Sequence, residues 1–423
     1  MLSMYFARRL LAPGLATLLW GAVATAAAAA EPPLTFATAV QRGLAHAPQV
    51  EARAADVAAM HEEAARAGRL PDPALSFGVA SYPVTAPGAF SLRSDGATMR
   101  TVGVMQAIPS RAARVAERGL ANAQIDAAAA NRVATTQTVQ ERVADAWIDV
   151  WATELARSLL VELRGESTLA VETTQARLHG GEGGASDALA ARAAASLLDN
   201  RLEATDADLA AAQASLQRWV GPITGPLAEA PDFGRLPVSE QSLQRSIDEQ
   251  APMQAWEARE RVAQAALDQA RAAKHPDWSV SAEYGKRAPR MSDMVTVQFS
   301  VSLPLFTRNR QDRGISARQA QRDAVQADHE DARRAQQEAV ARAAATWEGW
   351  NRQIARYQQT LLPLARDRAQ TALAGYRGGG VLQPWLDARR DEIELRLSYA
   401  AALASRARLW ASLAYLLPSE VTP

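Results

Sequence analysis

Five histidines, at positions 46, 61, 179, 275 and 329, are the residues best able to hold a metal or move a proton. No two sit with another ligand-type residue in a convincing i, i+4 cluster, and His61 beside Glu62 and Glu63 reads as a surface stripe. Met253, Met291 and Met294 form no soft-metal ladder, and the chain has no cysteine, which removes disulfides, thiolate metal sites and cysteine nucleophiles together. No G-x-S-x-G, H-E-x-x-H or lysine-bearing P-loop is present. The glycine runs Gly180-Gly181, Gly183-Gly184 and Gly378-Gly379-Gly380 stand between helical stretches rather than after a strand, so they do not cradle phosphate. Neither an enzyme nor a cofactor-binding protein is expected, and no bound metal.

Bulk composition excludes further classes. Lys+Arg and Asp+Glu both number 46 in 423 residues, a net charge of zero, and no basic patch with interleaved aromatics points to nucleic acid. Abundant alanine, with Glu, Gln, Arg and Leu and only 6% aromatics, reads as long helices. Arg8 and Arg9, the apolar run from Leu10 to Ala24, and Ala28-Ala29-Ala30 before Glu31 have the layout of a cleaved export signal over 1–30. No later segment supplies about 20 continuous apolar residues, so no membrane-spanning helix is expected.

The elements that must position any site come twice. Gln41-Arg42 and Ala47-Pro48 are matched by Gln244-Arg245 and Ala251-Pro252, and Arg66-Ala67 and Pro71-Asp72 by Arg271-Ala272 and Pro276-Asp277. Thr101 to Pro109 parallels Thr296 to Pro304, Arg118-Gly119 parallels Arg313-Gly314, and Trp147 parallels Trp347. The shared order marks a tandem duplication with a period far longer than that of a solenoid. The first repeat spans 31–220, a Pro- and Gly-rich linker 221–240, and the second repeat 241–418. Each repeat predicts a six-turn helix, two strands, a very long helix, a glycine turn (179–185 and 377–383) and a return helix.

Val295, Val297, Phe299, Val301 and Leu303 alternate with Thr296, Gln298, Ser300 and Ser302; Trp278, Val280 and Tyr284 alternate with Ser279, Ser281 and Glu283. Leu75, Phe77 and Val79, and Val102, Val104 and Ile108, do the same in the first repeat. This predicts strands at about 74–82, 99–108, 277–285 and 294–304, with one apolar and one wet face. A soluble half-buried sheet has the same pattern, but the flanking helices are too long to fold back as one layer. In a bilayer four strands leave open edges, so closure requires other subunits. A helix of about 65 residues is about 100 Å long. Its apolar positions Val139, Val143, Trp147, Val150 and Leu155 give a helix–helix seam, with alanine permitting close approach on both flanks.

"LPDPALSFG" (Leu70 to Gly78), "VGVMQAIP" (Val102 to Pro109), "SLPLFTRNR" (Ser302 to Arg310), "AGYRGG" (Ala374 to Gly379) and "LDARRDEIELRLSYAAAL" (Leu386 to Leu403) occur in this order. With this layout the chain resembles the TolC-type outer-membrane efflux family. "PLF-x-RN" and "ATMRTVGVMQAIP" look most like its branch that exports heavy-metal cations with resistance–nodulation–division pumps. The resemblance implies a mainly α protein with a small membrane β part: a homotrimer with a twelve-stranded barrel and a periplasmic α-barrel. It also implies outer-membrane lipid around the barrel, a periplasmic membrane-fusion adaptor, an inner-membrane pump and passive conduction. A drug or organic-compound duct of the same family, and a periplasmic helical scaffold or adaptor, are the alternatives. In the family the tunnel tip is closed by polar and charged links. Tyr376 and Asp387 fall on its tip motif and Arg377 adjoins that tyrosine, while Pro384 replaces a further tip acid. Three copies of Asp387 could form a cation-favouring ring; a helix-face pair with Arg389 or Arg390 is the plainer possibility. Asp187 and Glu182 are weaker candidates at the first tip. Many relatives bear a lipidated N-terminal cysteine; without one, anchoring is expected from the barrel alone.

Overall fold

The computed structural model describes residues 33–417 except 86, 88, 94 and 290. The expected export signal, 1–30, lies outside the described residues.

Each repeat opens with helices. Helix α1 (Phe36–Ala45) starts at Thr35, whose hydroxyl accepts from the Thr38 N–H, and α2 (Pro48–Arg66) starts on a proline, whose missing N–H costs nothing there. Strands β1 (Ala74–Ala80) and β2 (Met99–Ile108) follow, then α3 (Arg111–His179) and α4 (Ala185–Val220). The second repeat has α5 (Glu240–Arg245), α6 (Ala251–Ala272), β3 (Trp278–Lys286), β4 (Met294–Val301), α7 (Gln311–Arg356), α8 (Leu362–Arg377) and α9 (Gln383–Ala414). The short helices α1 and α5 leave no expectation in the sequence reading, which placed only one helix before each strand pair.

Helix α3 has 69 residues and is therefore about 100 Å long at about 1.5 Å per residue. Its counterpart, expected as one helix from Gly314 to Tyr376, is instead interrupted by a π-helical turn at Tyr357–Leu361. Pro363 is the physical cause: it has no N–H for the α ladder and its ring crowds the carbonyl four residues back, so one wider turn precedes it.

The four strands form one antiparallel sheet in the order β1-β2-β3-β4. The repeats are joined through the β2–β3 pairing, with Val102 opposite Tyr284 and Ile108 opposite Trp278. Two expected strand ends fall short. β1 stops at Ala80 because Ser81 turns into the left-handed region (φ 55). β4 stops at Val301: the Ser302 N–H still bonds its register partner Asp277, but the Asp277 N–H goes to the Ser302 hydroxyl instead of its carbonyl, and Pro304 has no N–H to continue the ladder. Asp277 also accepts from the Ser110 N–H at 2.7 Å, while the Ser110 hydroxyl caps α3 by accepting from Ala113 N–H. The strand-to-helix corner of one repeat is thus tied to the Pro-Asp of the other.

The largest core lies midway along the shafts. Trp147, fully buried, meets the Phe36 ring edge-on at 5.4 Å, and Phe233 meets Trp410 at 5.2 Å. The Trp147 indole N–H donates to the Leu34 carbonyl at 3.2 Å; its repeat counterpart Trp347 donates to the Phe233 carbonyl at 3.1 Å. The linker runs between them, bridged to the first repeat at Leu34 and Leu227. A girdle of irregular chain is thereby bonded to both long helices.

Asp145 sits within this stretch of α3. Burial pushes its carboxyl from the ordinary 3.8 to about 6, with Glu141 and Asp149 adding to the rise and Arg408 and Arg142 opposing it. The folded pKa exceeds the unfolded one, so the site favours folding below the ordinary carboxylate range and loses that contribution as pH rises through about 6.

Two outcomes are expected. Trp147→Ala should destabilise the fold by about 3–5 kcal/mol, read as an earlier denaturant midpoint of the helical circular dichroism signal. Asp145→Asn should raise the melting temperature at about pH 8, with the gain vanishing by about pH 4.

Candidate functional site

Register makes the sheet two-faced. Leu75 lies opposite Val104 and Phe77 opposite Val102; Val102 in turn faces Tyr284, which faces Val295; Val280 faces Phe299 and Trp278 faces Val301. These side chains share one face, and the alternate positions give the other: Ser76, Thr101, Gly103, Ser279, Ser281, Glu283, Thr296, Gln298 and Ser300. The apolar face is bare: Phe77 and Phe299 are each 72% exposed and Val295 70%. Strands β1 and β4 each have one unpaired edge in the protomer.

At the other end of the shafts the two glycine turns meet. Only Gly181 (φ 72) and Gly379 (φ 95) use left-handed backbone, where a side chain would be strained. Gly180 and Gly378 close their helices at negative φ, and Gly184 opens α4. Gly183 and Gly380 are needed for space: a Cβ on Gly380 would lie 2.8 Å from the Gly375 carbonyl oxygen and one on Gly183 3.1 Å from Arg177 Cβ.

Of the tip residues, Tyr376 is buried with Leu382, Trp385, Ala170 and Ala191. The Arg177 guanidinium of the first turn lies 4.7 Å from its ring centroid, so the two hairpins are joined by a cation–π contact. Arg177 Nη2 also donates to the Glu182 carbonyl, while the Glu182 side chain is exposed. Asp187 stands in the first turn of α4, where a negative charge suits the helix dipole. Arg377 is exposed, with no ion pair among the described residues. Asp387 is half-buried and accepts from Gln383 Nε2 at 2.9 Å; it pairs with neither Arg389 nor Arg390.

Arg389 is engaged elsewhere, in a charge network absent from the sequence reading. Glu392, 1% exposed, accepts from Arg389 Nη1 at 2.6 Å and Arg396 Nη2 at 2.7 Å. Arg389 also pairs with Glu166, and Arg396 lies 3.4 Å from Glu162, so the network ties α9 to α3. It borders a cleft of about 550 Å³ that extends to Tyr376 and Arg377. The signal was present: a glutamate with arginines three residues before and four after on one helix face. Removing one partner of such a buried set leaves an uncompensated charge, which makes the network a rigid coupling above the tip.

Residues 242–418 match the family model described as outer membrane efflux protein. No curated protein matches the chain in sequence. Solved structures match it in fold. A membrane protein from Pseudomonas aeruginosa superposes with a TM-score of 0.77 at 18% identity, covering 90% of this chain and 93% of its own. The outer membrane protein VceC from Vibrio cholerae gives 0.73 at 17%, covering 89% and 94%. CusC, whose structures concern transmembrane channel formation, gives 0.72 at 19%, covering 91% and 92%. The second repeat therefore carries the outer membrane efflux protein signature, and the chain as a whole has the fold of the TolC-type outer-membrane channels.

Proposed function

We propose that this chain is one protomer of a trimeric outer-membrane export duct. Its strands would supply a third of a lipid-embedded barrel and its shafts a third of a periplasmic tunnel. The bare apolar face of the sheet, continuous in register across all four strands, carries this reading. Such a face with two open edges is stable in hydrocarbon only when neighbouring copies complete the hydrogen bonding. Strand direction permits it: β1 and β4 of a four-stranded antiparallel sheet run oppositely, so β4 of one copy meets β1 of the next antiparallel. Three copies give twelve strands, above the roughly eight at which membrane barrels begin. A periplasmic scaffold would leave this surface in water.

The duct is passive. A periplasmic membrane-fusion adaptor would engage the tip, and an inner-membrane resistance–nodulation–division pump would supply the energy. Heavy-metal cations are the proposed cargo. The "PLF-x-RN" and "ATMRTVGVMQAIP" stretches favour that branch. Asp387 is the proposed selectivity element: its carboxylate has no cationic partner among the described residues, so three copies near the tip would favour cations. The metal is cargo in transit, and no group of three or more His, Asp or Glu side chains among the described residues is arranged to retain it.

Purified protein should form cation-selective pores in planar bilayers, and Asp387→Ala should reduce that selectivity; pores of unchanged selectivity would dispose of the ring. A deletion strain should become sensitive to one or more of zinc, cadmium, cobalt, copper and silver. Sensitivity to organic compounds alone would move the chain to the drug-exporting branch.

A further inference from the structure

We infer that the protomer binds the phosphodiester headgroup of an anionic glycerophospholipid in a cationic cleft at the helix-proximal end of its sheet. The inference rests on the outer-membrane reading above and adds a lipid partner with a defined seat.

The cleft, of about 610 Å³, lies where β2 ends and β3 begins. Ile108 and Trp278, opposite each other in register, form its apolar wall, and Arg111, Arg114 and His275 line its polar side. Both wall residues belong to the bare apolar face, and Trp278 is 51% exposed. The cleft therefore adjoins the surface on which acyl chains would lie. Neither Arg111 nor Arg114 makes an ion pair among the described residues. The Nε of Arg114 is buried with no hydrogen-bond acceptor, so the guanidinium charge is not offset on that side. The nearby Asp277 carboxylate is engaged by the Ser110 N–H.

The neighbouring chain supports the same level in the membrane. Beyond β4, Leu303, Leu305 and Phe306 are bare, Phe306 at 89%, and Arg308 and Arg310 follow without ion pairs among the described residues. The Ser302–Asp277 hydrogen bond ties this spur to the residues that flank the cleft. Greasy side chains followed at once by free arginines fit the boundary between acyl chains and phosphates. Arginine's planar fork suits phosphate oxygens in two-point contact. A free phosphate ion would gain nothing from Ile108 and Trp278, whereas a phospholipid uses both halves of the site. Two arginines against the single nearby Asp277 carboxylate leave a net positive charge, which favours a net-negative headgroup over a zwitterionic one.

The test is native mass spectrometry of the full-chain trimer released from mild detergent after equilibration with phosphatidylglycerol or phosphatidylcholine. The wild type should retain phosphatidylglycerol with about tenfold preference. The double variant Arg111→Gln/Arg114→Gln should lose that preference, and Arg111→Lys/Arg114→Lys should keep most of it. Equal retention in the wild type and the Gln variant, or release of the lipid by millimolar inorganic phosphate, would overturn the site. Planar-bilayer conductance of the same samples separates the two levels. Pores without lipid preference refute the headgroup site alone; failure of the wild type to form any pore refutes the outer-membrane reading and this inference with it. A Gln variant that neither trimerises nor conducts is replaced by Trp278→Ser, which should weaken retention of the lipid; unchanged retention there would also overturn the site.

Discussion

Every backbone N–H and C=O on the outer edges of β1 and β4 needs a partner, and in hydrocarbon water cannot be that partner. This constraint organises the molecule. The sheet is greasy on one side and wet on the other, which in the proposed duct would suit the boundary between lipid and an aqueous passage. In the proposed duct its edges would lie along the lipid surface, and another copy of the same sheet would meet the demand with strands of the right polarity. On that reading an isolated protomer is unfinished: aromatic side chains such as Phe77 and Phe299 are bare in it.

The shafts and the girdle follow from that unfinished sheet. The first strand pair leads into a helix about 100 Å long and the second into α7 and α8 joined by a π-turn, lengths that no compact domain could accommodate, so the helices pack side by side. Alanine allows the close spacing, but alanine contacts alone define register poorly. The buried aromatic cluster around Trp147, and the indole bonds from Trp147 and Trp347 to irregular chain, fix the two repeats against each other at mid-height. Nearer the tip that task passes to charge: Glu392 holds two arginines that reach Glu162 and Glu166 across to α3, and Arg177 covers Tyr376. A greasy middle and a charged lower section thus hold the shaft together by different means.

The fold class was legible because its main signals are periodic. Alternation from Val295 to Leu303 and the three-and-four spacing from Val139 to Val150 each express one face, and a face is what a one-dimensional pattern can encode. Duplication strengthened the reading, since Trp147 and Trp347 recur at matching places. What escaped depends on partners distant in sequence or on a single residue. Pro363 inserts a π-turn into a stretch otherwise fully helical in character. The end of β4 is set where the Ser302 hydroxyl accepts from the N–H of Asp277, 25 positions away. At the tip, Tyr376, Asp387 and Arg377 were found by motif, but Arg177 and Glu392 were not, because their roles appear only when two hairpins lie together. Of seven tip glycines singled out, two adopt positive φ; the others serve space or helix ends, which sequence alone does not distinguish.

The most direct test of edge closure between copies is a cysteine cross-link, clean here because the chain has no cysteine of its own. Ser76→Cys on β1 is combined in turn with Thr296→Cys, Gln298→Cys or Ser300→Cys on β4, and the membrane-extracted protein is oxidised and run without reductant. Within one protomer these strands stand three spacings, about 14 Å, apart, too far for a disulfide, which requires Cα atoms within about 7 Å. The account predicts a covalent trimer for at least one pair and for none of the single variants; a chain that remains monomeric with all three pairs would contradict it.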